Sequence, residues 1–243
     1  MFPMANEHGE WIMRGLDWDD PARIRSWEEL LDWIDEIGFL PLFKNEIDGF
    51  SVEENTADLY WWSGDVERDP WEWRVLMSRS GRAAYGKFFG KKAGFVSKAW
   101  FPHFANSRRD GYDFDSLWDE ELASMRAKRI IDQFTEHDEL FSFQLKQLAG
   151  FGKGGEKNFE GVVTELQMQS YLVIRDFRRR LNKKGVPYGW PISVYSTPEA
   201  LWGYEHVASA YGLDPKESAE RIRAQVKQNF PDALELELDA VLG

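Results

Sequence analysis

The order of elements legible between Glu139 and Tyr195 constrains this chain more than any other feature. Glu139 to Leu148 reads as a short apolar helix stopped by Gly150, and Phe151 to Gly155 is a glycine-rich turn. Phe159, Val162, Val163 and Leu166 then recur at i, i+3, i+4 and i+7, which lines them along one face of a helix. Ser170-Tyr171-Leu172-Val173-Ile174-Arg175 is strand-like, the basic run Arg178 to Lys184 turns the chain, and Ile192 to Tyr195 supplies a returning strand. Helix, turn, helix and hairpin in that order predict a winged-helix module.

The flanking segments are mostly helical. Ser26 followed by Glu29 forms a capping box, after which Leu30, Leu31, Ile34 and Ile37 fall at helical spacing before Gly38. Phe39 to Asp69 is mixed and aromatic, leaving helix and strand both open, and Gly81, Gly86, Gly90 and Gly94 predict short elements joined by turns. A long helix is expected from Ser116 to Phe134, with Leu117, Leu122, Met125 and Ile130 facing inward. Thr197-Pro198 and Asp214-Pro215 each set a capping residue before proline, so two more helices begin there, the second closed by Pro231. The expectation is a helix-rich α+β fold of tandem winged-helix-like modules with short β-hairpins. Its parts are an aromatic and basic winged-helix-like lobe over 1–112, a winged-helix module over 113–200 and a helical extension over 201–243. No internal repeat is visible.

Charge is unevenly spread. The formal net charge is −12, and Met1 to Tyr60 carries 15 Asp/Glu against four Lys/Arg, while the tail after Tyr204 carries eight against four. Between them, Arg74 to Arg109 holds Arg74, Arg79, Arg82, Lys87, Lys91, Lys92, Lys98, Arg108 and Arg109 with no acid at all. The segment also interleaves these cations with Tyr85, Phe88, Phe89, Phe95, Trp100, Phe101 and Phe104, a pattern that suits phosphate contact with ring stacking. A core of rings with solvated cations fits the same pattern. The candidate DNA contacts are Arg74, Lys87, Lys91, Lys92, Arg108 and Arg109 here, and Lys157, Arg178, Arg179, Arg180, Lys183 and Lys184 on the second helix and hairpin. The acidic terminal regions are the candidate surfaces for a protein partner.

Other classes of chemistry find little support. The chain has no cysteine, and its histidines, His8, His103, His137 and His206, show no metal spacing, so neither a metal nor another cofactor is expected. The start, Met1-Phe2-Pro3-Met4-Ala5-Asn6-Glu7, lacks the pattern of a signal peptide, and no run approaches the roughly 18 apolar residues that cross a bilayer. A cytoplasmic location without a membrane partner is expected. Gly150, Gly152 and Gly155 satisfy GxGxxG, but after a helix rather than a strand, and Glu156 stands where a phosphate-loop lysine belongs. Trp61, Trp62, Trp71 and Trp73 cluster around Asp69-Pro70-Trp71-Glu72-Trp73-Arg74. A carboxylate among indoles suits acid–base work with Trp71 or Trp73 stacked on an extruded base, or else a packed core with Asp69 capping a helix.

The Asp69 to Arg74 run, Ala84-Tyr85-Gly86-Lys87, Lys91-Lys92, Thr164-Glu165-Leu166-Gln167-Met168-Gln169 and Tyr188-Gly189-Trp190-Pro191 together resemble the bacterial AlkZ-related proteins over about Trp27 to Ala200. The resemblance implies kinship with winged-helix DNA glycosylases, which excise alkylated or crosslinked purines, and duplex DNA as partner. Those enzymes place a water with a Gln-x-Gln or Gln-x-Asp motif, so Gln167 and Gln169 become catalytic candidates. Asp69 and Glu72 join them, lying nearer to where that motif falls in the glycosylase fold. A non-catalytic winged-helix regulator or interaction module is the alternative.

Overall fold

Ser26 sets the first element in place. In the computed structural model, which describes residues 12–243, its hydroxyl accepts from the Glu29 amide at 3.2 Å while the Glu29 carboxylate accepts from the Arg25 amide at 2.8 Å. Helix α1 (Trp27–Ile37) buries Leu30, Leu31, Ile34 and Ile37. It ends at Gly38, φ 96°, where a Cβ would lie 2.6 Å from the Trp100 ring, so glycine alone lets the chain pass straight into β1 (Phe39–Pro41). The stretch that periodicity leaves open is irregular, with short 3-10 turns at Glu53–Asn55 and Asp58–Tyr60, and delivers the chain to α2 (Pro70–Ser80). Strands β2 (Ala83–Phe89) and β3 (Lys92–Ser97) are joined by Gly90 and Lys91, both at positive φ as a tight hairpin turn requires. Helix α3 (Phe101–Arg108) closes this half.

The helix expected over Ser116 to Phe134 is interrupted. α4 (Phe114–Asp119) stops before Glu121, whose φ is 60°, and the Ser124 hydroxyl accepts from the Ala127 amide at 3.1 Å to start α5 (Met125–Ile131). A serine positioned to cap competes with helix continuation. Leu122 and Met125, expected inside, are exposed, whereas Ile130 is buried. The helix expected from Glu139 is preceded by a short strand, β4 (Leu140–Phe141), and begins only at Ser142; α6 (Ser142–Leu148), α7 (Phe159–Met168) and the hairpin of β5 (Val173–Leu181) and β6 (Pro187–Ser196) then follow the predicted order, with Arg178 to Leu181 in strand rather than in the turn. Helices α8 (Pro198–Trp202), α9 (Tyr204–Val207), α10 (Pro215–Asn229) and α11 (Glu235–Leu242) complete the chain, α8 and α10 starting at the caps Thr197 and Asp214.

One antiparallel sheet collects these strands in the order β1-β3-β2-β5-β6-β4. Each half contributes a short strand and a hairpin, and each hairpin follows a helix, α2 in the first half and α7 in the second. The two hairpins meet through their first strands, β2 and β5, at Tyr85↔Ile174. The sheet is thus two copies of one plan set head to head. Trp73, Met77, Phe88, Phe95, Phe104 and Leu166 are among the side chains buried in the core that covers this seam.

Two adjacent arginines tie the C-terminal region to that core. Arg108 donates to the carbonyls of Met168 and Leu242, both at 3.2 Å, so one guanidinium serves the negative ends of α7 and α11. Burial pushes its pKa down to about 9. Arg109, with 1% of its side chain exposed, donates to Glu199 at 2.6 Å, to the Tyr211 hydroxyl at 2.9 Å and to the Ser170 carbonyl at 2.6 Å. No helix among the described residues is long and apolar enough to cross a membrane. Arg109→Ala would leave Glu199 and two neutral acceptors without their donor. It should lower the unfolding free energy by about 3–5 kcal/mol, the range for breaking a buried ion pair, measured by urea denaturation; a loss under about 1 kcal/mol would show that the pair is dispensable.

Candidate nucleic-acid interface

The acid-free segment spans α2, β2, β3 and α3, and four of its nine cations, Arg109 among them, meet acids brought from elsewhere in the chain. Arg79 pairs with Asp176 at 2.7 Å, Arg82 with Asp32 at 2.7 Å and with Asp35, and Lys92 with Glu46 at 3.9 Å. Arg74 lies between two rings, its guanidinium carbon 3.4 Å from the centroid of Trp71 and 4.2 Å from that of Phe177. Burial holds its pKa below the usual arginine value. Lys87 donates to Thr164 Oγ1 at 3.1 Å. Arg74, Arg108 and Arg109 are therefore placed in the packed body rather than on an exposed surface, because each is held by rings or acceptors of the fold. Lys91 and Lys92 are exposed at the β2–β3 turn.

The Asp69 to Arg74 run is likewise absorbed by local structure. Asp69 is fully buried and caps α2: its Oδ1 accepts from the amides of Trp71 at 2.9 Å and Trp62 at 3.1 Å, and its Oδ2 from that of Gly64 at 2.9 Å. A carboxylate committed to three backbone donors is a cap, not a base poised on solvent. Trp73 is a core residue whose indole donates to the Glu67 carbonyl at 3.2 Å, which removes it as a stacking platform. Trp71 is half-buried with Arg74 against its ring, and Glu72 is half-buried on the same helix. Gln167 is buried, accepting from the Lys87 amide and donating to the Val163 carbonyl, both at 3.1 Å, so it splices α7 to β2. Gln169, two residues on, is exposed beyond the end of α7. The two glutamines thus face different environments and do not form one constellation.

The surface that remains is the β5–β6 ribbon. Its root is anchored: Arg178 makes a two-pronged pair with Glu139 at 2.5 and 2.8 Å and reaches Asp176 at 2.5 Å. The hydrogen bonds that Arg178 donates hold the Glu139 carboxyl below its usual pKa and raise that of the guanidinium itself. Past this point the ribbon outruns its neighbours, since β2 pairs with β5 at Ile174 and β4 pairs with β6 at Val194 and Tyr195. Residues 179–190 are all exposed and carry Arg179, Arg180, Lys183 and Lys184, and no acid occurs between Asp176 and Glu199. The ribbon also presents Leu181, Val186, Tyr188 and, 89% exposed, Trp190. Sequence reasoning missed these exposed apolar side chains, although Tyr188 and Trp190 stand inside the resemblance it used.

A groove of about 700 Å³ runs between the ribbon and the start of α6, with the Arg180 guanidinium 4.3 Å from the Phe143 ring centroid. A second depression of about 450 Å³ shares Phe143 and continues past Lys146 to Lys153 and the glycines of the loop before α7. Lys157 is exposed beyond that loop. Helix α7 itself shows Glu160 and Glu165 to solvent and carries no Lys or Arg. The cations thus sit on ribbon, α6 and loop rather than on the second helix of the predicted pair.

A family model described as AlkZ related matches residues 24–243, so the chain belongs to that family. No curated protein matches. The placement of Asp69 generates a test. Asp69→Ala would strip three amides of their acceptor and should cost about 2 kcal/mol of stability, seen as a lower denaturant midpoint. A variant as stable as the parent would contradict the capping assignment.

Proposed function

We propose that this member of the AlkZ-related family binds duplex DNA, with the β5–β6 ribbon as its principal contact. One observation carries the reading: Arg179, Arg180, Lys183 and Lys184 stand on an exposed, acid-free projection that the rest of the sheet does not cover. The net charge of −12 is compatible with this because charges farther apart than a Debye length, about 10 Å at 0.1 M salt, act largely independently. The second half has the helix, strand, helix, helix and hairpin order of a winged helix, with the ribbon as its wing. Glu160 and Glu165 on α7 oppose a deep approach of that helix to phosphates, so backbone contact through the wing outweighs base reading by the helix. The exposed rings and aliphatics of the ribbon suit a groove, where apolar side chains wedge against base steps.

Family membership favours a second, finer reading, excision of an alkylated purine. Hydrolysis would form a bond from water oxygen to C1′ as the glycosidic bond breaks and the base departs. Among the four polar candidates, Glu72 and Gln169 keep access to solvent, while Asp69 and Gln167 are committed to backbone partners. Incubation with duplex DNA containing N7-alkylguanine, followed by an abasic-site assay, separates the two readings. Base release establishes the enzyme; binding without release leaves a non-catalytic DNA-binding module.

Replacing Arg179, Arg180, Lys183 and Lys184 with alanine should weaken duplex binding across sequences and flatten the dependence of log affinity on log salt by about 0.9 for each phosphate no longer neutralised. Fluorescence anisotropy at several salt concentrations reads both. An unchanged slope would place the phosphate-binding cations elsewhere.

A further inference from the structure

A separate cavity shares no lining residue with the groove beside the β5–β6 ribbon. Its volume is about 250 Å³, and it opens where the start of α4, the end of α5 and the start of α8 converge. Four carboxylates line it, Asp113, Asp115, Asp132 and Glu199, and no lysine or arginine does. Four rings complete the lining: Phe114, Phe134, Tyr171 and Tyr204.

The charges on this wall are only partly compensated. Glu199 is paired with the buried Arg109 at 2.6 Å and Asp132 with Lys128 at 2.5 Å. Asp113 caps α4, accepting from the Ser116 amide at 2.8 Å and from the Tyr204 hydroxyl at 3.3 Å, and these contacts, with a smaller contribution from the charge of Arg109, stabilise its anion without a direct ion pair. Asp115 adds a further negative charge in the first turn of the same helix. Carboxylates beside ring faces make a poor resting place for an anion and a good one for a cation, since both the formal charge and the ring quadrupole attract it. One ring already does this: the Arg109 guanidinium carbon lies 4.3 Å from the Tyr171 centroid.

The nature of the cation follows from the wall. A small inorganic ion needs several convergent oxygen ligands, and among the described residues no group of three or more His, Asp or Glu is arranged to hold a metal. Rings instead suit a large, weakly hydrated head group with carbon around its charge. We propose that this cavity binds the head of a small organic cation, a quaternary ammonium or a guanidinium, seated against Tyr204 and Phe134 and neutralised by Asp113 and Asp115. The site is independent of the DNA reading.

Calorimetric titration of the full chain at constant ionic strength tests it, with choline and agmatine as probes and 3,3-dimethyl-1-butanol as the neutral isostere of choline. At least one cation should bind saturably at one site, and the neutral isostere at least about tenfold more weakly. Asp115→Asn removes a charge at an exposed position and Tyr204→Leu removes a ring that is half-exposed, so both should retain the parental melting temperature. Each should weaken cation binding about tenfold. The proposal is overturned if neither cation binds saturably, if the neutral isostere binds as well as choline, or if both folded variants keep the parental affinity.

Discussion

The seam between β2 and β5 is one residue pair wide, Tyr85 opposite Ile174, and the two halves of the sheet depend on it. So short a ladder brings few main-chain hydrogen bonds, so side chains must supply the adhesion. The Arg74 guanidinium fills the joint between Trp71 of the first half and Phe177 of the second, and Tyr85 meets Phe177 edge-on at 5.8 Å. Arg79 reaches across to Asp176, and Gln167 gives the β2 backbone an acceptor. Arginine suits such a joint because its planar, weakly hydrated head stacks on rings while its nitrogens still find acceptors.

This seam also accounts for the charge anomaly. The stretch from Arg74 to Arg109 builds the middle of the molecule, and acids from α1, from the loop after β1, from β5 and from α8 pair with four of its nine cations. Acids within the segment would have competed for these cations locally or stood unpaired near the core. Opposite charges were separated along the chain because the fold joins distant segments. A cation-rich, acid-free stretch is consequently ambiguous in sequence: it marks an anion-binding surface when it projects and a structural hub when it is central. The first hairpin is central and the second projects, although both follow one topological plan.

The second half was legible because its signals are local. Helical periodicity, a glycine-rich turn and strand-like runs each lie within a few residues, and the observed elements follow them in order. The capping signals at Ser26, Thr197 and Asp214 were legible for the same reason, since each hydrogen bond spans two or three residues. What stayed hidden depends on long-range partners. The shared plan of the two halves is masked because the first carries an irregular aromatic stretch between β1 and α2, where the second carries α6. Asp69 and Gln167 have the chemistry of catalytic groups in sequence, and only the amides folded around them reveal their occupation. The exposure of Trp190 was equally unreadable, because a YGWP run fits a core turn as well as a projecting ribbon.

A body this acidic changes how the proposed interface would work. A duplex approaching the flanks meets net negative charge, whereas one approaching the ribbon meets four cations without an intervening acid. Repulsion over most of the surface and attraction at one projection select an orientation, and they do so more effectively than a uniformly basic protein would. The same arrangement limits the electrostatic gain, so contacts that do not depend on salt must contribute. Leu181, Tyr188 and Trp190 stand among the cations to provide them. The Arg178 pairs with Glu139 and Asp176 fix the root from which these side chains project, so its acids hold the ribbon in position while its tip keeps its positive charge. Anchoring by acids at the root and, in the proposed interface, attraction of phosphate by bases at the tip would be two uses of one basic run, divided at Arg178.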